Sequence, residues 1–237
     1  VSPAPITLLD EARAELACAL RAADEFGLGE GVCNHFSLAL PDGRILINPQ
    51  GVHWREMQPD DLVLLDADGR QIDGRHPVEP TAFFIHGAIH RQVPQAACVL
   101  HTHMPHATAL TMIDGGRLAM AHQNALRFHE AIAYEDDYNG LALDTAEGER
   151  IARRMGQARV LFLANHGVIV TGPSVAWAFD DLYFLERACM LQVLAMSTGR
   201  PLKPIAPHVA VRTARQMDGE RQQSDLHLAA LRRRYGF

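Results

Sequence analysis

Apolar residues recur near helical spacing at the start of the chain. Leu8, Leu9, Ala12, Leu16, Ala19, Leu20 and Phe26 form one stripe, which predicts an amphipathic helix over 6–26 with Thr7 as its cap. Gly27, Gly29 and Gly31 end it. The period then changes to two. Val32 to Leu40 alternates as a strand, Pro41-Asp42-Gly43 turns the chain, and Arg44 to Ile47 returns as a hairpin arm. Leu62 to Asp66 predicts another strand, closed by a tight turn at Asp68-Gly69. Pro80 opens a helix over 80–92, since proline is tolerated at a first helical position. Ala96, Ala97, Val99 and Leu100 then lead a buried strand into His101-Thr102-His103, stopped by Pro105.

His106 to Ile113 reads as a short helix. Residues 117–143 are irregular, with a strand-like piece at Ala131–Tyr134. Thr145 caps a helix through Met155. Val160–Ala164 and Val168–Val170 are strands interrupted by Asn165-His166-Gly167. Ser174 caps a long helix over about 175–198, ended by Gly199-Arg200-Pro201. The last thirty residues are polar and predicted helical. With neither repeat nor linker, residues 1–237 read as a single α/β domain with a helical tail from about 205. Its short hairpins require antiparallel pairing.

Composition narrows the chemistry. The chain has 237 residues, 48% of them hydrophobic, enough for one large core. A net charge of −6 without a long basic run argues against nucleic acid as a partner. No apolar run is long enough for a bilayer, and the N-terminus has no basic-then-apolar signal pattern. Cys18, Cys33, Cys98 and Cys189 are scattered in apolar settings and read as buried thiols of a reducing cytoplasm.

The unusual number is 13 histidines. Side chains alternate on a strand, so His101 and His103 point to one face, a start for a divalent metal site. His166 lies between two strongly apolar strands, where an imidazole needs a reason, and is the best third ligand. Three histidines leave coordination positions open, as a catalytic site requires. His86 and His90 share a helix face, but Gly87 stands where a zinc-protease helix needs glutamate, so they are read as buttresses of the sheet. His35, His53, His76, His106, His208 and His227 are read as ordinary surface or packing residues. Gly27-x-Gly29-x-Gly31 follows a helix and precedes a strand, the wrong order for a dinucleotide loop, and no G-x-S-x-G occurs.

Five ordered blocks carry a resemblance: Asn34-His35-Phe36-Ser37, Ile47 to Gly51, Phe84 to His90, Val99 to His103, and Asn165-His166-Gly167. Over nearly its whole length the chain resembles the class II aldolase/adducin superfamily. The resemblance implies a three-layer α/β/α fold with a central, mainly antiparallel sheet. It implies one divalent metal ion (Zn, Mn, Fe, Co or Mg) on His101, His103 and His166, and a cytoplasmic homo-oligomer, a tetramer or larger. It also implies a small anionic substrate near Asn34, Ser37, Gln50, Gly51 and Thr81, with Tyr138, His122 and His129 as candidate proton donors. Tyr235 is a further candidate, on a tail expected to be mobile.

Three departures separate the chain from sugar-phosphate aldolases: the first loop reads Cys33-Asn34-His35 where theirs has Gly-Asn, and two more lie at the start of the helix over 80–92. Their metal-site glutamate aligns with Ala82, and Pro80-Thr81 replaces their paired serines. Retro-aldol cleavage needs a base to deprotonate the departing alcohol, whereas carbon dioxide leaves without one. The expected activity is therefore that of a metal-dependent carbon–carbon lyase acting through a metal-stabilised enolate. It leans to decarboxylation of a hydroxylated aromatic, heteroaromatic or oxo carboxylate. An aldolase acting on a hydroxy-carbonyl substrate is the alternative. A non-catalytic adducin-like interaction module is a second one, and the three retained histidines weigh against it. Phe83, Phe84 and Phe128 fit a planar substrate or, more simply, the core.

Overall fold

The computed structural model describes residues 7–237. The first helix, α1 (Leu8–Glu25), is entered through a reciprocal cap. Thr7 accepts the Asp10 N–H, while the Asp10 carboxylate accepts the N–H of Thr7. The start of the expected helix, residue 6, lies outside the described residues. Eight strands form one sheet: β1 (His35–Ala39), β2 (Ile45–Ile47), β3 (Val63–Leu65), β4 (Gln71–Asp73), β5 (Cys98–Thr102), β6 (Ile132–Glu135), β7 (Val160–Leu163) and β8 (Gly167–Gly172). Their order is β4-β3-β2-β1-β5-β8-β7-β6. All neighbours pair antiparallel except β6 and β7, which run parallel. The expected mainly antiparallel sheet is thus present.

Six further α-helices follow among the described residues: α2 (Pro80–Gln92), α3 (Pro105–Thr111), α4 (Thr145–Met155), α5 (Val175–Met196), α6 (Pro207–Gly219) and α7 (Gln222–Tyr235). Strand alternation sorts the core into layers. Phe36, Leu100, Val160, Phe162, Val168 and Val170 bury one face of the sheet with α1 and α5. Val99, Leu161, Leu163 and Ile169 bury the other face with α2 and α4. On that second face, His35, Ser37 and His101 interrupt the apolar rows, because His35 pairs with His101 and Ser37 with Val99.

Several boundaries differ from the pattern. Residues 32–34 are loop, not strand, and their backbone turns over the sheet end. Asp144, not Thr145, caps α4, since its carboxylate accepts the Glu147 N–H at 2.9 Å. Strand β4 went unforeseen because all three of its residues are exposed and leave no apolar alternation. The supposedly irregular segment contains a 3-10 helix over Gln123–Phe128, and Phe128 is fully buried in the core. Cys33 is exposed, whereas the other three cysteines are buried, and burial pushes the Cys18 thiol up to about 12. Among the described residues no helix is long and apolar enough to cross a membrane.

Candidate metal centre

Strand pairing assembles the centre. Thr102 of β5 lies opposite Val168 of β8, and Leu163 of β7 lies opposite Gly167. This register brings the residue after β5, His103, beside the residue before β8, His166. The β7–β8 turn holds Asn165 at φ 55°, a left-handed conformation in which asparagine is tolerated best among side-chain-bearing residues. Gly167 is required for close approach. A Cβ there would stand 2.5 Å from the Thr102 carbonyl oxygen and 2.9 Å from the His103 ring. Ligand nitrogens of His101, His103 and His166 consequently all lie within 4.8 Å of one another.

The donor set fits a divalent cation. The Val168 carbonyl lies 3.0 Å from His101 Nδ1, so that nitrogen carries the proton and Nε2 keeps its lone pair. His103 Nε2 is buried and has no hydrogen-bond partner. Burial, with the neighbouring His103 and His35, pushes His166 down to about 4, and burial holds His101 well below the ordinary histidine value. Neutral imidazoles with free lone pairs are what a metal needs as ligands.

Residues around the triad divide into two groups. His35 is buried and stacks on His101 with ring centroids 5.9 Å apart. Its Nε2 lies 3.2 Å from Glu79 Oε2. His35 packs in the interior, and its strand register sets it directly against His101. Glu79 caps α2 by accepting the Ala82 N–H at 3.0 Å and the Thr81 hydroxyl. Burial alone would raise its carboxyl, but the bonds from His35, Thr81 and Ala82 outweigh it and bring Glu79 to about 2. Ala82 is buried among Ile45, Ile47, Val63 and Leu65, so no carboxylate enters from that position.

The second group is a chain of fixed protons. His90 Nδ1 lies 2.9 Å from the Ala96 carbonyl and so donates to it. His90 Nε2 then accepts from the Ser37 hydroxyl at 2.7 Å, and Ser37 accepts from His86 Nδ1 at 2.6 Å. His86 and His90 buttress the sheet as expected. Ser37 is fully committed to them and fully buried, which removes it from direct contact with a substrate.

The remaining expected site residues scatter. Asn34 is buried, and its Oδ1 accepts the N–H groups of Glu30 and His103 at 2.9 and 3.3 Å. Thr81 is half-buried on Glu79, while Gln50 and Gly51 are exposed. The exposed Tyr138 ring lies 6.4 Å from that of His166. His122 caps the 3-10 helix by accepting the Asn124 N–H at 3.2 Å, and His129 precedes β6 at the sheet end opposite His166. The chain does not bring these two to its own triad. Phe83 and Phe84 pack on each other at 6.1 Å. Tyr235 is bonded to Glu25 on α1, away from the site and on an anchored helix.

The family model of the Class II Aldolase and Adducin N-terminal domain matches residues 14–193. The chain belongs to this family. It is 34% identical over 212 residues to a putative aldolase class 2 protein of Caulobacter vibrioides, covering 88% of this chain and 82% of that one. Decarboxylase NovR of Streptomyces niveus is 32% identical over 194 residues, covering 78% of this chain and 68% of NovR. An aldolase II superfamily protein from Pseudomonas syringae superposes with a TM-score of 0.88 at 32% identity, over 99% of this chain and 94% of that one. As a class II aldolase family member the chain has the expected fold.

Proposed function

We propose that the protein is a divalent-metal-dependent carbon–carbon lyase that decarboxylates a small hydroxylated aromatic, heteroaromatic or oxo carboxylate. The observation carrying this reading is a triad of three converging histidines with no carboxylate at Ala82. An ion held by His101, His103 and His166 supplies Lewis-acid polarisation of a substrate carbonyl or hydroxyl. The protein's own residues then handle the proton. As the carboxylate leaves as carbon dioxide, the electron pair stays on the substrate carbon, and one proton must reach that carbon.

We assign that proton to His35, which lies beside His101 with its Nε2 3.2 Å from Glu79 Oε2. Tyr138, near His166, is a second donor. The Glu79 carboxylate is already engaged by His35, the Thr81 hydroxyl and the Ala82 N–H, which supports decarboxylation over aldol cleavage. The decarboxylase named among the relatives agrees with this choice. Exposed Met112, Leu194 and Met196 support self-association of the chain.

The test is a paired assay on protein purified without nickel affinity. Carbon dioxide release is followed from hydroxybenzoates, hydroxypyridine carboxylates and 2-oxo acids, and aldehyde release from sugar phosphates. Metal-dependent carbon dioxide release is expected. Aldehyde without carbon dioxide would establish the aldolase instead. Failure to bind Zn, Mn, Fe, Co or Mg would leave an interaction module as the reading.

A further inference from the structure

The glycine-rich loop between α1 and β1 has no part in a dinucleotide site, yet it is built with care. Gly29 packs so tightly that an added Cβ would stand 2.8 Å from the Trp54 ring. That contact fixes the residue beside it. The Glu30 N–H donates to Asn34 Oδ1 at 2.9 Å, and its carbonyl accepts the Cys33 N–H at 3.1 Å. With its backbone held at both ends, Glu30 sends its carboxylate to His103, where Oε2 lies 2.7 Å from Nδ1. Asn34 Oδ1 also accepts the His103 N–H at 3.3 Å, so one asparagine ties the loop to the backbone of the ligand.

A carboxylate accepts and cannot donate, so this contact places the His103 proton on Nδ1 and leaves the lone pair on Nε2. Nε2 is the buried, unpartnered atom that faces the triad. His101 is oriented differently, by a neutral carbonyl. Among the described residues, Glu30 is the carboxylate hydrogen-bonded to a member of the triad.

We propose that Glu30 is the positioning residue of the metal centre. It fixes the tautomer and ring orientation of His103 and would supply, across the His103 imidazole, the negative charge missing at Ala82. The role of Glu30 rests on the metal reading of the triad. Outer carboxylates on metal-bound histidines typically contribute about 10–100-fold in metal affinity. Because the Glu30 side chain is two-thirds exposed, at 66%, its removal leaves no cavity and no buried charge.

The test compares wild type with Glu30→Ala and Glu30→Gln in the full chain. Affinity for Co(II) and Zn(II) is measured by chelator competition, the Co(II) visible spectrum is recorded, and the His103 tautomer is read from imidazole nitrogen shifts of the metal-free protein. Glu30→Ala is expected to weaken both metals by about 10–100-fold, alter the Co(II) spectrum and mix the His103 tautomers, at unchanged metal-free melting temperature. Glu30→Gln, which still accepts the bond but carries no charge, should keep the tautomer and fall between the two in affinity. Wild-type affinity and tautomer in Glu30→Ala would overturn the role of Glu30 alone. A wild-type protein that binds neither metal would overturn the metal reading itself, and this role with it.

Discussion

At the scale of the residue, the triad is separable from the core. His103 is partly exposed at 22%, and its side chain contacts Glu30 and the other ligands rather than the apolar layers. His103→Ala is therefore expected to abolish bound metal and carbon dioxide release while changing metal-free stability by less than about 1 kcal/mol. Metal analysis and urea denaturation of one preparation check both halves. Two members of the cluster were legible because H-x-H on an apolar strand is a local pattern. The third was legible because His166 interrupts apolar sequence. His35 was not, since its meaning lies in the pairing with His101, and pairing partners in a sheet are not written locally. Glu30 escaped for the same reason: its loop reads as mere turn chemistry until the contact to His103 is seen.

At the scale of the element, α2 links the sheet to the site. Its first residues do two jobs with one carboxylate, capping the helix and holding His35. Glu79→Gln keeps an acceptor for the Ala82 N–H and loses the charge. The expected result is a stability loss under about 1 kcal/mol, within the worth of a cap, and a fall in kcat of roughly 10²–10⁴, the usual worth of an acid–base group. Denaturation and steady-state kinetics separate the two; a large stability loss with unchanged kcat would refute the role. The helix itself was readable from Pro80. That Glu79 would turn toward His35 depends on the cap geometry, which the spacing of residues does not encode.

At the scale of the whole molecule, two features set stability. Four buried or shielded histidines are held neutral: burial pushes His90 and His166 down to about 4 and His86 and His101 well below the ordinary value. The unfolded chain takes up these protons below about pH 6.5 and the folded one does not, so metal-free stability falls as pH drops from 6.5 toward 4. The loss is on the order of 1 kcal/mol per pH unit per histidine. Denaturation midpoints of metal-free protein at pH 7, 5.5 and 4.5 should decrease steadily; a flat profile would contradict it. The second feature fastens the C-terminal helices. Asp180 and Asp181 of α5 are buried and bind Arg127, Arg221, Ser224 and His227, with Arg221 bidentate to Asp181 at 2.6 and 3.2 Å. Asp181→Ala removes the bidentate partner of buried Arg221 and one of the two carboxylates on Arg127, which costs about 3–5 kcal/mol. Hydrogen exchange should show α6 and α7 opening first. The expectation of a mobile tail failed because helical polarity was taken for solvent exposure, whereas Arg221 and Ser224 face buried carboxylates.

The pairing of β5 with β8 has a kinetic consequence. His103 and His166 are about sixty residues apart in sequence and meet only when that pairing is complete. Contacts of such separation carry a loop-closure cost before they return anything. Before then the chain offers an ion only the H-x-H pair. Added metal should accordingly leave the refolding rate nearly unchanged and slow unfolding, by a factor that grows with ion concentration over its dissociation constant. Stopped-flow unfolding at several metal concentrations measures it. The ion then acts as a latch, set after assembly.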